Sequence, residues 1–229
     1  HFESRGAKVI ILSEYGINDV SRPVHLNRIL RNAGYLALRE EQGLELLDAG
    51  ASRAFAVSDH QIAHVYCPDQ SVIEAVKTLL AQTPGVAKVL SGEELAAFHI
   101  DHPRAGDLVL IADSDAWFTY YYWLDDKKAP DFARCVDIFK KPGYDPVEMF
   151  MDPQNPLIKL RAAYKLARKL AGFRYRMDVI PLDANLVKGS HGSPLCPEEY
   201  YPLYIADYQA TDKMEPTEVY SLIWNTVFE

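Results

Sequence analysis

Lys8-Val9-Ile10-Ile11-Leu12 is a short apolar run of strand length, and Ser13-Glu14-Tyr15-Gly16-Ile17-Asn18-Asp19 breaks it with turn chemistry. An unbroken apolar strand reads as buried on both faces, as central strands of parallel sheets are. Gly106-Asp107-Leu108-Val109-Leu110-Ile111-Ala112-Asp113 repeats the pattern and again closes on a carboxylate. Ligands of open α/β sheets bind beyond the carboxyl ends of such strands. The two runs predict an α/β fold with a mostly parallel sheet flanked by helices. They also place Glu14 and Tyr15 where a site is expected.

Between and beyond these runs the punctuation is regular. Val24 to Ala33 predicts a helix, with Pro23 near its start and Gly34 at its stop. Tyr35–Arg39, Leu44–Leu47, Arg53–Ser58 and Ala63–Tyr66 read as strands, and residues 44–66 as a small β subregion beside the main sheet. Over Gln70–Gln82 the residues Val72, Ile73, Val76, Leu79 and Leu80 make one apolar stripe of a helix. Val86–Leu90 is a strand and Glu93–Phe98 a short helix. Trp117–Trp123 reads as an aromatic strand, whose tyrosines suit either packing or stacking on a nucleoside base. Residues 125–185 form an enlarged excursion with one strong helix, Leu157–Ala171, basic on one face. A short strand at Leu203–Ala206 and a helix at Glu215–Val227 close the chain.

Composition narrows the function. Of 229 residues 48% are hydrophobic and 24% charged, with a formal net charge of -8. That balance describes a folded globular chain. The net negative charge argues against a nucleic-acid polymer or an anionic membrane as partner, for which Lys/Arg clusters are expected. The three cysteines are widely spaced and odd in number, which is no disulfide framework and suits a reducing, cytoplasmic setting. Neither a Walker-type phosphate loop nor a Gly-x-Ser-x-Gly elbow occurs.

Lys188-Gly189-Ser190-His191-Gly192-Ser193 carries the most chemistry. Flanking glycines let backbone approach closely and free the imidazole to point into a site. The order of segments resembles the type I phosphodiesterase/nucleotide pyrophosphatase family of the alkaline phosphatase superfamily. There a strand ends in Ser-Asp-His-Gly-Met, and a later Gly-Thr/Ser-His-Gly supplies a metal-binding histidine. Here Ser13-Glu14-Tyr15-Gly16-Ile17 follows the first run, and Gly189-Ser190-His191-Gly192 comes late. Between them His102-Pro103-Arg104 precedes the second run. Pro202-Leu203-Tyr204-Ile205 and Glu215-Pro216-Thr217-Glu218 then match the closing strand and helix. The resemblance spans nearly all of residues 1–229, as the C-terminal part of one alkaline-phosphatase-like domain.

The resemblance implies hydrolysis of a phosphodiester or nucleotide pyrophosphate at a pair of divalent metals, most often zinc, with manganese or magnesium as alternatives. It implies a small phosphorylated substrate, and His191 and Glu14 as metal ligands. Tyr15 stands where the family has histidine and is expected to contact a phosphate oxygen instead. The family's Thr or Ser nucleophile and several aspartates precede the first motif. They are expected in a missing N-terminal portion, so this chain alone should not turn over. The replacement of Asp-His by Glu14-Tyr15 keeps a second reading open, an inactive member that binds a ligand or partner. A related transferase or phosphonate hydrolase on the same scaffold is a third.

A true Asp-His pair occurs in Ser58-Asp59-His60-Gln61, after the strand Ala54-Phe55-Ala56-Val57. Glutamine replaces glycine there and the downstream order fits less well. Asp59 and His60 are therefore secondary candidates for the metal or its surroundings, with a hydrogen-bonded structural pair as the plainer reading. Asp183 is a candidate to orient His191, or else a loop cap.

Overall fold

Alternating burial builds the main sheet. In the computed structural model, which describes residues 1–206 and 213–228, Ala56 and Ser58 point inward on one strand and Ala63 and Val65 on the next. In chain order the strands are β1 (Ile10–Leu12), β2 (Asn18–Asp19), β3 (Arg22–Val24), β4 (Leu38–Glu41), β5 (Leu44–Leu47), β6 (Phe55–Asp59) and β7 (Ile62–Tyr66). β8 (Val86–Leu90), β9 (Leu108–Ala112), β10 (Ala116–Phe118), β11 (Gly189–Ser190) and β12 (Tyr204–Ala206) follow. The helices are α1 (Leu26–Asn32), α2 (Ile73–Ala81), α3 (Ile158–Leu170) and α4 (Val219–Phe228). The chain divides into two compact units, Ile17–Pro197 and the pair of end segments His1–Gly16 with Glu198–Glu229.

In the larger unit the strand order is β6-β7-β9-β8, and every neighbouring pair is antiparallel. The mixed α/β class holds, but the expected mostly parallel sheet is not what the described residues form; their one parallel strand pair is β3 with β10. The reason lies in β9. Its five residues are all buried. Leu108, Leu110 and Ala112 face the large core, while Val109 and Ile111 face a second cluster with Leu90 and Leu95. A continuous apolar run reports coverage of both faces; strand direction is set by the connections. β6 and β7 likewise belong to this sheet, and the β4–β5 hairpin is the side element.

The helices that were read from periodicity form. α2 buries Val76 and Leu80 and packs on β8, and Asp69 caps the preceding turn by accepting from Ser71 N at 3.0 Å. α1 buries Leu26, Asn27 and Leu30 against β6. Its Asn27 is wholly buried and replaces part of a strand ladder: Nδ2 donates to Ala56 O at 2.8 Å and Oδ1 accepts from Ala56 N at 2.7 Å. The aromatic segment is strand only over Ala116–Phe118. Tyr120 to Trp123 leave the ladder yet are at most 1% exposed, packed edge-on against one another. That burial assigns them to the core and not to a base platform.

The excursion contains α3, none of whose residues is buried, with Arg161 and Lys165 paired to Asp178. It also contains a buried ion cluster. Lys141 Nζ lies 2.9 Å from Asp145 and 2.6 Å from Glu148, with the lysine and aspartate side chains at most 1% exposed. Cys67 and Cys135 are buried free thiols, and burial pushes the Cys67 thiol up to about 11, with Asp107 and Asp69 adding to it.

In the end-segment unit β1 pairs antiparallel with β12, and Ile11 and Leu12 are 54% and 41% exposed. The first apolar run is thus a strand but not a buried central one. α4 opens with a reciprocal cap between Glu215 and Glu218 and buries Leu222. No helix among the described residues is long and apolar enough to cross a membrane.

Candidate functional site

Asp59 and Ile62 are the last registered pair of the β6–β7 hairpin, so the turn is the two residues His60-Gln61. His60 takes φ +55°, a conformation that the first position of a tight hairpin turn usually gives to glycine. Holding a side chain there costs on the order of 1–3 kcal/mol, and the surroundings supply the constraint. Phe118 N donates to His60 O at 2.7 Å, and Gln61 N donates to His191 O at 3.0 Å. Gln61 is fully buried, and its Nε2 donates to Ala116 O at 3.0 Å and Ser114 O at 3.2 Å. The glutamine that breaks the sequence motif is therefore the anchor of the turn.

His191 arrives from the other end of the unit. β11 pairs with β2, setting Ser190 opposite Asn18. Gly189 permits the approach, since a Cβ there would meet Ile17 Cγ2 at 2.8 Å, and Gly192 turns the chain away at φ +99°. The His191 ring lies against His60 with centroids 3.9 Å apart and planes tilted by 32°. His60 Nδ1 sits 2.6 Å from Asp59 Oδ1. A carboxylate on one ring nitrogen fixes the tautomer and leaves the other nitrogen for a ligand.

The hydrogen bond from His60 holds the Asp59 carboxyl below the usual carboxylate range against partial desolvation, with the charges of His60, His191 and His64 assisting. His64 is pushed down by partial burial, and its Nδ1 accepts from Gly106 N at 3.0 Å, so this ring is neutral and committed to the sheet. Three buried polar atoms beside His191, namely Asn18 Nδ2, Gln61 Oε1 and Ser190 Oγ, make no hydrogen bond within the described residues.

The structure thus gathers Asp59, His60 and His191, the secondary candidates with the primary one. Glu14 and Tyr15 lie in the end-segment unit, where Tyr15 is 47% exposed. Ser13 Oγ there accepts from Leu203 N at 2.9 Å, and a Cβ on Gly16 would strike Tyr200 O at 1.6 Å. Gly16 is required by packing of backbone on backbone. Asp183 acts as a loop cap, its Oδ1 accepting from Asn185 N at 3.0 Å. The sequence reading missed Tyr144, whose ring stacks on His60 at 4.6 Å. Its one signal was the preceding Gly143, in a Lys-Pro-Gly-Tyr stretch inside the excursion.

Residues 3–145 match the family described as type I phosphodiesterase / nucleotide pyrophosphatase, more than half of the chain. The chain belongs to this family. Asp59, His60 and Tyr144 fall inside the matched stretch, and His191 follows it. Among solved structures, phosphonoacetate hydrolase from Sinorhizobium meliloti 1021 in complex with phosphonoformate is similar at 17% identity and TM-score 0.39, over 56% of this chain and 31% of that one. Murine ectonucleotide pyrophosphatase/phosphodiesterase 5 is similar at 19% identity and TM-score 0.32, over 48% of this chain and 25% of that one. The chain therefore spans less than a third of the length of these proteins. No curated protein matches it.

Members of the type I phosphodiesterase family generally use divalent metals. One carboxylate oxygen and two imidazole nitrogens suit zinc or a similar borderline ion. Among the described residues, however, no group of three or more His, Cys, Asp or Glu side chains is placed to hold a metal ion.

Proposed function

We propose that this chain supplies part of the metal site of a phosphate-ester hydrolase, acting on a phosphodiester or nucleotide pyrophosphate. One observation carries the reading: the His60 and His191 ring centroids lie 3.9 Å apart, with Asp59 on Nδ1 of His60 at 2.6 Å. A carboxylate on the Nδ1 of a histidine is the usual partner that orients a metal-binding ring. His60 and His191 would each offer an imidazole nitrogen, with Asp59 orienting His60, and the nucleophile and the remaining donors would come from the rest of the protein. A bound divalent ion supplies charge for the phosphoryl oxygens and lowers the pKa of the attacking group. This chain's own part is to fix two imidazoles in place, with the strained hairpin turn setting one and the glycine-flanked ribbon the other.

The test is zinc titration of the chain by calorimetry. We expect His60→Ala, His191→Ala and Asp59→Asn each to weaken binding at least tenfold, and binding to fall on acidification as the ligand imidazoles protonate. Hydrolysis of p-nitrophenyl phosphate mono- and diesters and phosphonates by the longer protein then sorts the substrate class. Zinc binding that ignores all three substitutions overturns the site. A longer protein that binds no metal would favour the ligand- or partner-binding member.

A further inference from the structure

α3 inverts the usual placement of a surface helix. Such a helix turns its apolar stripe to the core and its charges to water. Here Leu160, Leu166 and Leu170 are the outward residues, 66%, 48% and 89% exposed. The half-buried positions are Ile158, Ala162, Lys165 and Arg168. Arg161, Lys165 and Arg168 follow the three- and four-residue spacing of a single helix face. Seven of the chain's 24 Lys and Arg fall in residues 153–177, a stretch without Asp or Glu in a chain of net charge -8.

The basic face borders a cavity of about 770 Å³ inside the larger unit, within the roughly 300–1,000 Å³ of small-molecule sites. Its cations are Lys140, Lys165, Arg168, Arg174 and Arg176, against Asp137 and Asp178. Both acids are already engaged. Asp178 pairs with Arg161 and, at 2.9 Å, with Lys165; Asp137 pairs with Lys140 at 3.5 Å. Arg176 pairs with Asp131. Arg168 and Arg174 have no ion pair among the described residues. Arg168 Nη2 donates to Arg174 O at 3.1 Å and Nη1 to Tyr164 Oη at 3.4 Å, which ties the two arginines together.

We infer that this cavity binds a small soluble molecule bearing phosphoryl groups, with Arg168 and Arg174 as its anchors. The inference is independent of the metal reading, and none of Asp59, His60 and His191 lines the cavity. Guanidinium forks match phosphoryl oxygens two by two. Like charges lining one cavity repel, and an anion between them removes that cost. The Arg168 fork is held in advance, with its carbon 5.6 Å from the Phe173 ring centroid and 5.9 Å from that of Tyr164. Little side-chain freedom is then lost on binding. The outward leucines do not line the cavity, so the recognition is one of charge.

The experiment is calorimetric titration of the whole chain with pyrophosphate, in the presence of a chelator so that no metal-borne affinity contributes. We expect the wild type to bind, and Arg168→Gln and Arg174→Gln each to weaken binding at least about tenfold, as loss of a charge-assisted hydrogen bond does. Lys159 is exposed on α3 and outside the cavity. Lys159→Gln removes an equal charge and should stay within about twofold. Thermal unfolding without pyrophosphate checks that each variant keeps its fold. A wild-type chain that binds no pyrophosphate overturns the site. Equal weakening by Lys159→Gln and Arg168→Gln overturns it too, because net charge alone would then account for the binding. Co-sedimentation with phosphatidylserine/phosphatidylcholine vesicles is the second arm: a chain that binds these vesicles and not free pyrophosphate recognises a lipid surface, and the soluble-ligand reading fails. Zinc titration is a separate measurement, so failure of either reading leaves the other standing.

Discussion

After Leu12 the chain turns through Ser13, Glu14 and Tyr15; at the end of β6, Ser58 and Asp59 lead into the turn that His60 opens. Each presents a serine, an acid and a ring at the end of an apolar strand. Among the described residues the first strand has one partner, three residues long, and leaves Ile11 and Leu12 largely exposed. The second is the edge of a four-stranded sheet, with α1 packed on it and Gly143 laid along its last turn. A side chain becomes usable in a site when the backbone beneath it cannot move. That depends on what the strand is built into, and the tripeptide does not record it.

The largest effect should separate the two strands by stability. Leu110 lies fully buried in the sheet beneath the second turn, and Leu110→Ala should cost about 2–5 kcal/mol in denaturant unfolding. Ile11→Ala, beneath the first turn, should stay within about 0.5–1 kcal/mol. Equal costs would erase the distinction.

Acid sharpens it next. His25, at the start of α1, is depressed from 6.5 to about 4, chiefly by burial and secondly by Arg28. Its Nδ1 is 2.7 Å from Thr119 Oγ1. A depressed histidine takes up its proton in the unfolded chain first. Stability is therefore complete above about pH 6.5, falls as pH drops towards 4, and loses no more from this group below that. The loss should approach about 3 kcal/mol across the window. In His25→Gln the stability-versus-pH curve should be flatter by that amount; an unchanged slope would show that the ring is not held neutral.

Asn27 offers a smaller break. Asn27→Ala removes both bonds to Ala56 and should cost about 1–3 kcal/mol, since a buried donor and acceptor lose their partner. Last comes the direct contrast between the turns. His60→Ala should weaken zinc binding at least tenfold, about 1.4 kcal/mol, while Glu14→Gln should leave it within about twofold. The reverse ranking would assign the metal role to the first turn.

What could be read from the sequence follows how local each cause is. The stripe of Val76 and Leu80 located α2 because a helix displays its apolar period within one turn or two. The run Leu108–Ile111 located a strand covered on both faces, yet its antiparallel neighbours depend on connections hundreds of atoms away. Tyr120 to Trp123 showed burial without showing that the ladder stops at Phe118. At the site, Gly189 and Gly192 made His191 legible because glycine marks a local backbone need. Asp59 and His60 were discounted on account of Gln61, whose reason for being there is a set of carbonyls between Asp113 and Ala116. Tyr144 was illegible because its contact with His60 is made across the fold.

Because Cys67 and Cys135 are enclosed and kept protonated while Cys196 is only half-buried, the native chain should offer alkylating reagents one fast position and two slow ones. The two slow positions sit on opposite sides of the construction problem, Cys67 just past β7 and Cys135 in the excursion. Their separate labelling rates would show, without any added probe, whether the sheet and the excursion open together or in turn.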